Sequence, residues 1–171
     1  MQLRKVLVPL DGSLLAEAAL PRAMELVESS GAKLLLLRAA EASRLSGMDR
    51  TEAQLRAVRE AEDYLTQIGD RLTALGVKDI EVSIWYGPAV SAIVQAAQLH
   101  PVDLIVMTTH GRSGLGRLVL GSVAESVLRG TTTPILLVRA PEAPVEPPTA
   151  KGVAKPWPEM KRARETKAQG G

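Results

Sequence analysis

The sequence predicts an α/β protein of three layers, an open parallel five-stranded sheet with helices on both faces. Two observations carry this. Short apolar runs alternate with helix-period stretches from residue 6 to residue 138, and two of the runs, Leu34 to Leu37 and Leu104 to Met107, are unbroken aliphatic segments. Such segments are typical of strands buried on both faces of a parallel sheet. Five strands and four helices are expected, because each parallel crossover needs an intervening segment and returns with a right-handed sense.

Each element has its own local reason. Val6-Leu7-Val8 is a short apolar run that stops at Pro9-Leu10-Asp11-Gly12-Ser13, where proline, glycine and a capping serine mark a strand turning into a helix. From Ser13 the apolar positions Ala16, Leu20, Ala23 and Val27 recur at helical intervals, with Pro21 expected to bend that helix and Gly31 to end it. Leu34 to Leu37 is the second strand, with Ala39 and Ala40 at its end. Asp49-x-x-Glu52 reads as a capping box, and Leu55, Val58, Ala61, Leu65, Ile68, Leu72 and Leu75 form one apolar stripe behind it. Ile80, Val82 and Ile84 alternate with polar residues as in a half-covered edge strand. Gly87-Pro88 then opens a helix carried by Val90, Ile93, Val94 and Ala97, with Pro88 in its first turn. Leu104 to Met107 is the fourth strand and precedes a glycine-rich segment, Thr108 to Ser122. Ser122-x-x-Glu125 reads as a second capping box, starting a helix through Val127 and Leu128 to Gly130. Pro134 to Val138 is the last strand.

A chain of 171 residues supports one domain with a packed core. That domain is expected over residues 1–140. Residues 141–171 are rich in proline, carry six basic and four acidic side chains and have no apolar period, so they read as a disordered tail. Trp157 with Lys161-Arg162-x-Arg164 fits a docking element or an incidental tryptophan in a solvated tail. The body before the tail is neutral. Without clustered Lys and Arg, and with only four aromatic residues in the chain, no nucleic-acid partner is expected. The chain has no cysteine and two distant histidines, His100 and His110, which excludes a disulfide scaffold and disfavours a histidine-built metal centre. The start of the chain lacks the long apolar segment of a signal peptide, and no stretch approaches the ~20 apolar residues of a membrane span. The expectation is a cytoplasmic protein with no membrane partner.

In an open parallel sheet, ligands bind beyond the carboxyl ends of the strands where the winding reverses. Pro9 to Ser13 and Thr108 to Ser122 fall there. Gly111, Gly114, Gly116 and Gly121 lie within eleven residues, and Gly121-Ser122 opens a helix whose free amides favour an anion. Known phosphate motifs match only in part. Gly111 and Gly116 have Walker spacing, but Arg117-Leu118 stands where the lysine and the magnesium-binding hydroxyl belong. Gly114-x-Gly116 is followed by Val119, so the dinucleotide fingerprint also fails. Glycine content alone leaves a ligand loop and a plain turn equally open.

Val6 to Ser13, Thr109-His110-Gly111-Arg112-Ser113-Gly114, and Leu120 to Glu125 ahead of Thr133 to Val138 together resemble the universal stress protein family, over Lys5 to Val138. The resemblance implies a Rossmann-like sheet in the order 3-2-1-4-5, a homodimer through the last strand, and ATP as a regulatory ligand, with or without Mg²⁺. Nucleotide-binding members show a Gly-x2-Gly-x9-Gly-Ser/Thr pattern; Gly111 and Gly121-Ser122 match it, while Thr108 replaces its first glycine, near the ribose. On matching positions, Pro9 and Asp11 would line the nucleoside, Asp11 accepting a ribose hydroxyl, and Ala39 would offer backbone atoms to adenine. Met107 would pack nearby. Gly111 and Arg112 would approach the phosphates, and Gly121, Ser122 and Val123 would wrap them with amides. Asp11 before glycine also fits a helix cap, and Met107 a core residue. No catalytic residue is assigned, so a binding protein is expected. Slow ATP hydrolysis, autophosphorylation at Ser122 or a loop threonine, and a scaffold that binds no nucleotide are the alternatives.

Overall fold

The computed structural model describes residues 2–41, 49–109 and 121–139. The elements are β1 (Lys5–Pro9), α1 (Leu14–Glu17), α2 (Leu20–Ser30), β2 (Lys33–Ala40), α3 (Arg50–Ala74), β3 (Ile80–Tyr86), α4 (Ala89–Leu99), β4 (Leu104–Thr109), α5 (Ser122–Gly130) and β5 (Ile135–Arg139). All five strands are parallel and lie in the order β3-β2-β1-β4-β5, the predicted arrangement. The central strand β1 is fully buried at Val6, Leu7 and Val8.

Strand alternation divides the core in two. Val6, Val8, Leu34, Leu36 and Val106 face Ala19, Leu20, Ala23 and Val27 at α2 and Leu65, Ile68 and Leu72 of α3. Leu7, Leu35, Leu37, Ile105 and Met107 face Ala92, Ile93, Ala96 and Ala97 of α4 and Ala124 and Val127 of α5. The early helices therefore cover one face and the late helices the other. Winding reverses between β1 and β4, and this reversal is what places a crevice at the carboxyl ends of those strands.

Several local expectations are corrected. Pro21 does not bend one helix: the chain breaks after Glu17 and restarts at Leu20, with Pro21 in the first turn of α2. A proline there loses no helical hydrogen bond, since the first-turn N–H groups have no intrahelical acceptor. Pro88 is likewise the residue before α4, in extended conformation, not a member of its first turn. On α3, Asp49 caps the helix through Thr51 N–H at 3.2 Å, and the stripe buries Ala61, Leu65, Ile68 and Leu72. Its two ends, Leu55 and Leu75, stay exposed, as does Val82 on the edge strand β3. Strands β2 and β4 run further than their aliphatic cores, through Ala40 and Thr109. Thr108 thus belongs to a strand and not to the following loop.

At the amino ends of the strands, charged groups hold the sheet in register. Asp103 accepts hydrogen bonds from the backbone N–H of Arg4 at 2.8 Å and of Lys5 at 3.0 Å, tying the start of β1 to the start of β4. Glu81 on β3 receives Lys5 Nζ at 2.6 Å and Lys33 Nζ at 3.3 Å, spanning three strands. The backbone donors of Arg4 and then Lys5 hold the Asp103 carboxyl below its ordinary 3.8. A carboxylate whose pKa is lowered by folding stabilises the protein above its unfolded value and loses that contribution as pH falls through the folded one. Asp103→Ala should therefore cost about 1–2 kcal/mol at pH 7. In urea titrations the gap to wild type should shrink below about pH 4; a gap independent of pH would assign the cost to packing instead.

Candidate functional site

A cavity of ≈ 250 Å³ opens at the carboxyl ends of β2, β1 and β4, slightly smaller than the roughly 300–1,000 Å³ typical of small-molecule sites. Its wall is built from Pro9, Leu10 and Asp11 after β1, Leu37 to Glu41 at the end of β2, Met107 and Thr108 on β4, Ala89 and Ile93 on α4, and Val123 and Ala124 at the start of α5. Ala16, Ala57 and Glu60 close the side facing α1 and α3. A second cavity of ≈ 370 Å³ lies at the opposite end of the sheet, between the ends of α2 and α3, away from the switch point.

Five of the residues singled out from sequence, Pro9, Asp11, Ala39, Met107 and Val123, converge on the first cavity. Gly121 and Ser122 adjoin it through Val123 without lining it themselves. Gly111 and Arg112 lie outside the described residues.

The turn after β1 is organised by its own polar groups. Asp11 Oδ1 accepts both the N–H of Ser13 at 2.9 Å and its hydroxyl at 2.6 Å, while Ser13 Oγ accepts Ala16 N–H at 3.1 Å. Ser13 is thus the cap of α1 and Asp11 braces the cap. Oδ2 of Asp11 takes no hydrogen bond among the described residues, which leaves an acceptor at the cavity wall. Gly12 supplies the positive φ of +88° that this turn needs.

At the other end of the cavity, α5 starts differently from the expectation. Gly121 is the N-cap, and Ser122 is the first helical residue with no capping bond from its side chain. The Glu125 carboxylate, which a capping box would turn back to the cap, pairs instead with Arg129 at 2.9 Å. The first helical hydrogen bond runs from Glu125 N–H to Gly121 carbonyl at 2.9 Å. The amides of Ser122, Val123 and Ala124 precede it and have no intrahelical acceptor. With the side-chain caps gone, those donors suit an anion.

Among the lining residues that the sequence did not single out as site residues are Arg38, Glu41, Glu60 and Ile93. Arg38 had a visible signal, since it is the charge that interrupts the apolar run of β2 immediately before Ala39. Its guanidinium lies over the Tyr64 ring, 4.6 Å from the centroid, within cation–π range. The Tyr64 hydroxyl donates to Glu17 at 3.1 Å, and Arg71 pairs with the same carboxylate. Burial, then the Glu17 hydrogen bond and charge, push the Tyr64 phenol well above its ordinary 10.0. Tyr64 consequently stays protonated and keeps donating at any physiological pH.

An open parallel sheet with a polar-rimmed cavity at its switch point defines an α/β protein of Rossmann-like architecture. Residues 2–139 match the model of the universal stress protein family, and the chain belongs to that family. A protein of Staphylococcus aureus (strain USA300) named as a universal stress protein is 31% identical over 147 residues, 84% of this chain and 88% of its own length. The crystal structure of a universal stress protein in complex with cAMP superposes with a TM-score of 0.65 at 28% identity, covering 82% of this chain and 99% of that one. An Arabidopsis thaliana family protein with AMP bound has a TM-score of 0.60 at 19% identity, covering 80% and 92%, and bears on the fold alone. Among the described residues no helix is long and apolar enough to cross a membrane.

Proposed function

We propose that this chain binds an adenine nucleotide, ATP above all, in the switch-point cavity as a regulatory ligand, and does so as a homodimer joined through β5 in the cytoplasm. The observation that carries the reading is the convergence of Pro9, Asp11, Ala39, Met107 and Val123 on one cavity beside the start of α5. The cAMP held by a structure 28% identical to this chain supports the same ligand class. In this reading the free Oδ2 of Asp11 takes a ribose hydroxyl, backbone atoms at Ala39 meet the base, Met107 packs against the nucleoside, and the open amides of α5 face the phosphates. Mg²⁺ would arrive with ATP. Among the described residues no group of three metal-binding side chains is available, so its ligands would be phosphate oxygens and water.

The reading assigns no general base and treats the nucleotide as a signal, not a substrate. Calorimetric titration of ATP into the refolded, ligand-stripped protein tests it. Asp11→Ala removes one charge-assisted hydrogen bond and should weaken binding roughly tenfold to a hundredfold. Loss of the brace on Ser13 should cost only about 1 kcal/mol of stability. If the folded wild type takes up no adenine nucleotide at millimolar concentration, the nucleotide reading is wrong and a dimeric scaffold of the same fold replaces it.

A further inference from the structure

The Arg38 guanidinium is clamped on two sides. Beyond the Tyr64 ring, the turn after β1 approaches it so closely that a Cβ on Gly12 would stand 3.3 Å from Nη2 and 3.5 Å from Cζ and Nη1. It lines the cavity half-buried. Among the described residues it makes no ion pair, and Glu17, which accepts from the Tyr64 hydroxyl, is paired with Arg71. A planar cation held by stacking, with no partner for its donors among the described residues, is pre-organised for an anion. That anion is not the 5′-phosphate chain. Arg38 sits on β2, and α5 follows β4; β1 lies between them, a separation of about 10 Å at the usual strand spacing.

We infer that Arg38 forms a second anion subsite, which takes a phosphate ester on the 2′ or 3′ oxygen of the bound ribose. The inference rests on the nucleotide reading given above. One ribose hydroxyl donates to Asp11; its neighbour on the ring then faces the adjoining Arg38, and a phosphate there finds its N–H groups. Dinucleotide sites use the same division of labour, an acidic side chain for a free ribose hydroxyl and an arginine for a ribose phosphate. Here both groups flank one turn.

Calorimetric titrations of the full chain with adenosine, AMP, adenosine 2′-phosphate and adenosine 3′-phosphate test the assignment. One of the two ribose phosphates should bind the wild type roughly tenfold to a hundredfold more tightly than adenosine. Arg38→Gln should erase that gain while weakening adenosine and AMP far less, and Arg38→Lys, which keeps the charge but not the stacked fork, should retain part of it. Melting curves of both variants report folding, and the lysine variant carries the test if the glutamine variant does not fold. The inference is overturned if neither ribose phosphate outbinds adenosine, or if Arg38→Gln weakens AMP as much as the ribose phosphate. In both of those cases binding of AMP itself leaves the nucleotide reading intact. A wild type that binds none of the four and no ATP removes both.

Discussion

Gly121→Val is expected to abolish the proposed nucleotide binding while the protein stays folded. The glycine at this position is not required by its backbone: φ is −51° and ψ 144°, angles that any L-residue adopts, unlike the turn glycine at position 12 with φ of +88°. What distinguishes Gly121 is its place. It is buried, it caps α5, and its carbonyl starts the helix by accepting Glu125 N–H. Valine preserves that carbonyl bond and the backbone angles but sets a branched side chain beside the open amides of Ser122 and Val123. If those amides hold phosphate, the side chain occupies the phosphate's space, and affinity should fall by more than about a hundredfold, beyond the loss of any single hydrogen bond. The cost in stability should be about 1–3 kcal/mol, because the branched side chain both replaces a glycine cap and enters a buried position. Titration calorimetry with ATP, paired with a melting curve, separates the two effects. Unchanged affinity in the folded variant would reduce this turn to a plain connection.

Leu136→Asp is expected to destroy the proposed dimer. All five residues of β5 are only half-buried in the single chain, and four of them, Ile135 to Val138, are aliphatic. An apolar edge strand with open backbone groups is an aggregation hazard unless something covers it. In the proposed dimer a second copy related by a two-fold axis would cover it and stop there. Leu136 also packs on the first core, so the variant should appear in light scattering as monomer or aggregate, never as a stable dimer. A wild type that runs as a monomer across micromolar concentrations would remove the proposed assembly.

The architecture was legible because burial on both faces leaves a trace: Leu34 to Leu37 and Leu104 to Met107 are unbroken aliphatic runs of strand length set between helix-period stretches. Finer boundaries were not. Thr108 and Thr109 read as loop because they are polar, yet both are buried in β4, paired with Val138 and Arg139; neighbouring strands override local composition. Ser122 looked like a cap because serine and the glutamate three residues on form the right pattern. Gly121 fills that role, and Arg129, one turn further on, competes for the glutamate. For the cavity, Pro9, Asp11, Met107 and Val123 were reachable from local sequence, at the ends of the β1 and β4 runs and at the start of the helix after Gly121. Glu60 was not, since what makes it part of the cavity is the position of α3, a helix whose sequence pattern says which side is apolar but not where its exposed side ends.

The division of the core into an early and a late half sets the order in which the chain can be completed as it is synthesised. By the time β3 has been made, β2 can pair with both β1 and β3, and α1, α2 and α3 can seal one face of that half-sheet. Leu7, Leu35 and Leu37 on its other face have no cover until α4 and α5 follow, and β1 keeps an unpaired edge until Leu104 and Ile105 arrive. Contacts of such long sequence separation form slowly. A nascent chain paused after β3 and before α4 therefore presents an apolar plate and a bare strand edge together, the combination that recruits chaperones or other copies of itself.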